Sequence, residues 1–130
     1  MIYIDTSALV KLIIEEPESI ALSEWLSRKS ELPKVTSDLA RVELIRVCKR
    51  VDDSLTPFAK SLLSGISTIP ISTDILNIAS ELMPHELRSL DSIHLASAIS
   101  IGSVLSDFVA YDSRLCTAAV HLGLSVSSPI

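Results

Sequence analysis

The order of apolar and polar positions predicts short strands alternating with helices along the whole chain. The β-favouring apolar runs lie at residues 2–4, 34–36, 66–71, 108–111 and 124–126. Segments with helical patterning lie at residues 8–14, 18–27, 39–51, 57–64, 72–82, 90–101 and 113–122. Such alternation is typical of a parallel sheet covered by helices on both faces. We therefore expect an α/β fold with three layers, α/β/α, around a central, mainly parallel sheet of four to five short strands.

Polar and glycine positions predict several helix ends. Ser37 or Asp38 is a suitable N-cap before the segment 39–51, and Thr56 followed by proline is an N-cap and first-turn signature for the next helix. Gly102 and Gly123 are placed to end the last two helices.

Composition fits a compact protein with an aliphatic core. The chain has 130 residues, 48% of them hydrophobic but only 4% aromatic, and its mean hydropathy is +0.45. This predicts one domain spanning residues 1–130. Charged residues interrupt every apolar run before it reaches membrane-spanning length, and the first residues lack the basic start of a signal peptide. We expect a cytoplasmic protein.

Charge and cysteine usage limit the kinds of site. The net charge of −5 repels phosphate, so nucleic-acid binding would need a local basic patch and a cation. Cys48 and Cys116 are far apart and match no metal-binding spacing. We expect both to be reduced and packed in the interior.

Acidic residues stand at positions where the surrounding pattern is apolar. Asp5 and Asp112 each follow a strand and precede a helix, so both should emerge at the same edge of a parallel sheet. Asp91 falls in a first helical turn, and Glu43 falls at the margin of a helix's apolar face, close to Arg46. If these four carboxylates converge, a hard divalent cation such as Mg²⁺ or Mn²⁺ would relieve their repulsion and could activate water.

Each acid also has an ordinary structural explanation. An aspartate at a helix start is commonly a cap, and Glu43 could simply pair with Arg46 at the surface. From placement alone, a metal site and a set of unconnected caps are about equally supported.

Four segments, taken together and in order, resemble the motifs of PIN-domain ribonucleases, and more narrowly those of VapC toxins from bacterial and archaeal toxin–antitoxin pairs. They are Asp-Thr-Ser-Ala-Leu-Val-Lys-Leu at 5–12, Leu-Ala-Arg-Val-Glu at 39–43, Leu-Asp-Ser-Ile-His-Leu-Ala at 90–96 and Tyr-Asp-Ser-Arg-Leu at 111–115. The similarity extends over practically the whole chain.

The resemblance implies a PIN-like fold and a Mg²⁺- or Mn²⁺-dependent endoribonuclease that hydrolyses RNA phosphodiester bonds. It implies that Asp5 and Asp91 are the main metal ligands, and that Glu43 and Asp112 orient water or a second ion. Thr6 or Ser7 would lend a hydroxyl or amide near the metal or the scissile phosphate.

Three further residues could belong to the site. His94 lies three positions after Asp91, where it could act as an acid or base, although a hydrogen-bonded interior histidine is the simpler interpretation. Arg88 and Arg114 flank two of the motifs and could contact phosphate, or they could be ordinary surface cations.

The helix at 39–51 carries two features that suggest partners. Its basic residues could form the patch that RNA requires, although a solvated helix face is about equally supported. Val42 and Ile45 lie among them on the outer side. The resemblance supplies two candidates for an apolar partner surface, a cognate VapB-like antitoxin and a second copy of the chain in a homodimer.

Two other functions remain compatible with the sequence. A catalytically silent PIN-like module would use the acids only as caps and its groove to bind a protein. A phosphoryl-transfer or receiver-type domain would use Asp5 as a phosphate acceptor, but it lacks the second nearby aspartate that common aspartyl phosphatases have.

Overall fold

A five-stranded sheet forms the centre of the protein, as seen in a computed structural model that describes residues 1–130. The strands are β1 (Ile2–Ile4), β2 (Lys34–Ser37), β3 (Ser67–Ile69), β4 (Asp107–Val109) and β5 (Val126–Ser127). Their order is β3-β2-β1-β4-β5, and every pairing is parallel. The predicted α/β class and central parallel sheet are confirmed.

Seven helices connect these strands. They are α1 (Thr6–Ile13), α2 (Ser19–Ser27), α3 (Asp38–Val51), α4 (Thr56–Ser64), α5 (Thr73–Glu81), α6 (Ser89–Ile101) and α7 (Ser113–His121). Short 3₁₀ turns at Asp53–Leu55 and Gly102–Val104 complete the regular structure. None of the helices is sufficiently long and apolar to span a membrane.

The strand order reverses between β1 and β4. From β1 the chain proceeds outward to β2 and β3, and then it crosses to β4 and β5 on the other side of β1. Such a switch point leaves a crevice beyond the carboxyl ends of the two central strands, where open α/β sheets bind their ligands. Asp5 follows β1 and Asp112 lies just after β4, so the topology places both acids at this crevice.

The core has one layer on each face of the sheet. Ile2 and Ile4 pack with helices α1 to α4, whereas Tyr3 points to the opposite face and packs with α6 and α7. A smaller cluster joins α5 to α6. As a result α6 is buried on several sides, which explains why small serines and alanines occupy so many of its positions.

Most predicted helix ends are correct, with one exception. Ser37 caps α3 through Leu39 N, and Gly102 and Gly123 adopt the positive φ angles of 73° and 85° that glycine permits after a helix. Thr56, however, is the first residue of α4 rather than its cap, because the preceding 3₁₀ turn leads directly into the helix.

Candidate active site

Asp5 is held at the start of α1 by the residues that follow it. Its Oδ2 accepts hydrogen bonds from Ser7 N at 3.0 Å and Ser7 Oγ at 2.6 Å. Ser7 Oγ also accepts a hydrogen bond from Tyr111 N, at 3.0 Å, which ties the turn after β1 to the turn after β4. The Asp5 side chain is therefore both the helix cap that the sequence suggested and a fixed, buried carboxylate at the switch point.

Glu43 reaches from α3 to two residues on other helices. Its Oε1 accepts a hydrogen bond from Thr6 Oγ1 at 2.7 Å and lies 2.6 Å from His94 Nε2. It makes no ion pair with Arg46, so the surface pairing considered from the sequence is wrong.

His94 connects this carboxylate with the centre of the sheet. Its Nδ1 lies 2.7 Å from the Tyr3 hydroxyl and 3.5 Å from Asp5 Oδ1. Tyr3 and His94 are both fully buried. One imidazole thus contacts two of the four acids while its ring is held from the interior.

Asp91 and Asp112 share a cation instead. Arg88 Nε lies 3.2 Å from Asp91 Oδ2, and one of its terminal nitrogens lies 3.7 Å from Asp112 Oδ2. Asp112 also caps α7, since its Oδ1 accepts a hydrogen bond from Leu115 N at 2.9 Å. The partner on this side is open to solvent, since the Arg88 side chain is 74% exposed, although that of Asp91 itself is only 17% exposed.

The four acids follow a common pattern. Asp5, Glu43 and Asp91 each have one carboxylate oxygen engaged by the protein and one that accepts no hydrogen bond from it. The second oxygens of Asp5 and Asp112 face more distant nitrogens, from His94 at 3.5 Å and from Arg88 at 3.7 Å. The protein thus orients each carboxylate while leaving acceptor capacity in the crevice.

The pKa shifts reflect this concentration of charge. Burial is the main reason that the pKa of Asp91 is raised, and the carboxylates of Asp5 and Asp112 add to the effect against the opposing influence of Arg88. Burial would lower the pKa of His94, but its hydrogen bond to Glu43 and the surrounding carboxylates raise it. For Glu43, burial acts to raise the pKa, yet the hydrogen bonds from His94 and Thr6 outweigh it and lower the pKa.

The donor set fits a hard divalent cation in its chemistry. Asp5 and Asp112 lie near enough to Asp91 to raise the pKa of its carboxyl group. The guanidinium of Arg88 is the cation that contacts both Asp91 and Asp112. Uncompensated carboxylate oxygens of this kind suit Mg²⁺ or Mn²⁺. However, no three histidine, cysteine or acidic side chains are already close enough to enclose an ion, so a bound ion would complete its coordination with water.

Of the other predicted site residues, some contact the acids and one does not. Thr6 and Ser7 contact the acids directly through their side chains, as described above, and Arg88 lies between two of them. Arg114 is exposed and makes no hydrogen bond or ion pair. The structure therefore gives it no contact with the acidic residues.

Tyr3 is the one site neighbour that sequence reasoning missed, since it was counted only as a strand residue. A buried tyrosine hydroxyl needs a hydrogen-bond partner, so a tyrosine between isoleucines in a central strand was the available signal. Its partner could not be named without the fold.

An open groove of ≈ 630 Å³ lies on the outer side of α3, against α4 and β3. Val42 and Ile45 line it, and Arg41 and Lys60 supply positive charge. The apolar surface expected around Val42 therefore exists, with Val42 58% exposed.

A family model and several curated proteins match this chain. The model for the PIN domain matches residues 2–120. The ribonuclease VapC47 of Mycobacterium tuberculosis is 43% identical over 99% of this chain and 97% of its own length. The ribonuclease VapC35 from the same species is 45% identical, also over 99% and 97%.

Solved structures share the fold at low sequence identity. Mycobacterium tuberculosis VapC20, described as a sarcin–ricin loop cleaving toxin, has a TM-score of 0.78 at 15% identity. The match covers 99% of this chain and 100% of that chain. A toxin–antitoxin complex from Klebsiella pneumoniae has a TM-score of 0.76 at 20% identity, with 100% of this chain and 98% of that chain covered. The family model and the sequence relatives show that the chain belongs to the PIN-domain family and, within it, to the VapC ribonucleases.

Proposed function

We propose that this protein is a divalent-metal-dependent endoribonuclease and the toxin of a type II toxin–antitoxin pair. The observation that carries the proposal is the arrangement of four acids at the sheet's switch point, Asp5, Glu43, Asp91 and Asp112. In each of them one carboxylate oxygen accepts a hydrogen bond from the protein and the other accepts none. In this proposal the protein acts in the cytoplasm.

The four acids have separate roles in this proposal. Asp5 and Asp91 hold a Mg²⁺ or Mn²⁺ ion, which when bound would activate water and neutralise charge on the phosphodiester. Glu43 Oε2 and Asp112 orient the attacking water. Thr6 fixes Glu43, and Ser7 fixes Asp5.

Basic residues supply the attraction that the net charge of −5 does not. Arg46 and Arg50 lie exposed on α3 without an ion-pair partner. Arg88 stands at the open side of the acids, where a phosphate could replace its carboxylate contacts. These cations support binding of an RNA backbone.

The proposed protein partners are a VapB-like antitoxin and a second copy of the chain. The groove beside Val42 combines an apolar surface with the charges of Arg41 and Lys60, which suits an antitoxin segment carrying apolar and acidic residues. Exposed apolar side chains elsewhere, including Phe58 and Val120, leave surface for a homodimer. Light scattering on the purified protein, alone and with the antitoxin, tests both assemblies.

The central test is RNA cleavage by aspartate-to-asparagine variants. Asp5→Asn and Asp91→Asn should each reduce Mg²⁺- or Mn²⁺-dependent cleavage by at least about 100-fold, because each loses a ligand charge worth several kcal/mol. In Asp5→Asn the introduced amide oxygen can still cap α1, so circular dichroism should show an intact fold. Asp74→Asn is the matched control, since Asp74 is an exposed acid in the first turn of α5.

Undiminished cleavage by both purified variants would contradict the proposal. The alternative is a catalytically silent PIN-like binding module, favoured by the observation that Arg88 already bridges two of the acids. Calorimetric titration with Mn²⁺ separates the two, because the silent module should show no binding that disappears in Asp5→Asn.

A further inference from the structure

His94 and Tyr3 are buried and contact each other through the imidazole Nδ1 and the tyrosine hydroxyl. Neither residue has a role in the four-acid site as described so far. We infer that His94 is a positioning residue that holds Glu43 by one oxygen so that the other faces the crevice, with Tyr3 holding the imidazole from behind. This inference rests on the proposed ribonuclease function and adds a residue to it.

The first step is the division of labour between the two oxygens of Glu43. Oε1 lies 2.6 Å from His94 Nε2 and 2.7 Å from Thr6 Oγ1, whereas Oε2 accepts no hydrogen bond from the protein. Because a carboxylate has no proton to give, Nε2 must be the donor. Two donors on one oxygen fix the orientation of the carboxylate plane, and Oε2 is thereby directed away from both of them.

The second step is the rigidity of the imidazole itself. The Tyr3 hydroxyl lies 2.7 Å from Nδ1, and the two rings meet edge to face with centroids 6.0 Å apart. Tyr3 is in turn stacked on Phe108 of β4 at 5.3 Å. The central strands thus hold His94, so that its ring cannot turn without breaking contacts in the core.

The third step is that the same ring contacts Asp5. Nδ1 lies 3.5 Å from Asp5 Oδ1 on one side, while Nε2 contacts Glu43 on the other. The imidazole therefore acts as a spacer between a carboxylate after β1 and one on α3. Holding reacting groups to within a fraction of an ångström is what catalytic geometry requires.

A direct catalytic role for His94 fits the structure less well. Its side chain is only 2% exposed, and both ring nitrogens already face protein partners. It has no nitrogen available to touch a substrate, so any effect it has on cleavage must act through Glu43 and Asp5.

The kinetic test compares two substitutions of His94. His94→Leu removes the Nε2–H donor and should lower kcat by about 10- to 100-fold, the usual effect of losing a group that orients the residues of a metal site, with KM unchanged within about twofold. His94→Gln places an amide N–H close to the same point and should restore most of that loss. His121→Gln, an exposed histidine at the end of α7, is the control and should match the wild type.

A second measurement works without metal or RNA. His85 and His121 are exposed, so any slowly exchanging imidazole N–H signal of the ¹⁵N-labelled protein should come from His94, and the Nε2–H is expected among them. Its downfield proton resonance should move upfield in Glu43→Gln, which weakens the acceptor, and should persist in Asp91→Asn.

These results separate failure of the inference from failure of the proposed function. If the wild type cleaves RNA and folded His94→Leu has the same kcat, or folded His94→Gln is as impaired as His94→Leu, the positioning role is wrong. If the wild type does not cleave RNA, the ribonuclease proposal fails, and the imidazole resonance alone decides whether His94 holds Glu43. An N–H signal that is unaffected by Glu43→Gln contradicts the inference.

Discussion

The two sides of the acidic crevice are built differently. On the side of Asp5 and Glu43, the carboxylates are fixed by short hydrogen bonds to neighbours such as Ser7 and His94, and the His94 side chain is only 2% exposed. On the side of Asp91 and Asp112, the contacts to Arg88 are longer, and the arginine is 74% exposed.

This difference shows which side chains of the site are held in place by the fold itself. Hydrogen bonds in a buried network are strong because little water competes with them, whereas exposed ion pairs contribute at most about 1 kcal/mol. The buried side is therefore ready before any ligand arrives. On the open side, an exposed arginine balances the charge of the two aspartates.

The largest expected effect is stabilisation by a divalent ion, which would bring order to the open side. An ion present at 100 times its dissociation constant should raise the free energy of unfolding by about 2.7 kcal/mol. For a domain of this size, each kcal/mol raises Tm by roughly 3–5 °C. Thermal unfolding with and without Mn²⁺ measures the rise, and an equal rise in Asp5→Asn would show that the ion binds elsewhere.

Breaking the buried side should cost stability directly. Ser7→Ala removes the 2.6 Å hydrogen bond to Asp5 and leaves Tyr111 N without its acceptor, so we expect a loss of about 2 kcal/mol in the free energy of unfolding. Urea denaturation measures it. Ser27→Ala, which removes only an exposed bond to a backbone carbonyl in α2, should stay within about 0.5 kcal/mol, and equal losses in both variants would contradict the comparison.

The buried side should also give stability a pH dependence in metal-free buffer. The pKa of Glu43 is lowered despite its burial, so its contribution is present above its unfolded pKa of about 4.3 and is lost as pH falls through the folded value. The pKa of His94 is raised despite its burial, so its contribution is complete below about pH 6.5 and is lost as pH rises through the folded value.

These two contributions overlap between roughly pH 4.3 and 6.5, and Tm should be highest there. Unfolding scans from acid to alkaline pH test the shape of the curve. His94→Gln has no titrating imidazole and should lose the decline on the alkaline side. A Tm curve of unchanged shape in that variant would show that other groups cause the decline.

The smallest effect is expected on the open side, from Arg88→Gln. Removing a positive charge beside Asp91 and Asp112 should tighten Mn²⁺ binding by about two- to fivefold, since exposed charges at such distances interact by up to about 1 kcal/mol. Calorimetric titration measures the affinity, and Arg114→Gln is the matched control because Arg114 makes no contact with the acids. Weaker Mn²⁺ binding in Arg88→Gln would mean that Arg88 organises the site rather than competing for it.

The same contrast explains how far the sequence could predict the site. Asp5 and Asp112 follow from local rules, because each ends a strand, caps a helix and lies at the edge that parallel strands share. The element boundaries were similarly accessible, since Ser37 and Gly102 are local signals.

The partner of Glu43 could not be predicted in this way. Periodicity placed Glu43 near Arg46 on the same helix, but the structure pairs it with His94, 51 positions away along the chain. Contacts between different helices depend on packing that no local pattern encodes. For the same reason the separation of the acids into a fixed side and an open side was not foreseen.

The position of β1 has a consequence for how the protein is made. This strand lies at the start of the sequence, yet it pairs with β2 on one side and with the distant β4 on the other. A nascent chain therefore exposes Asp5 long before β4 and Asp112 have been synthesised. The four acids of the crevice cannot come together until Asp112 has left the ribosome, so the residues before it emerge without the complete set of carboxylates.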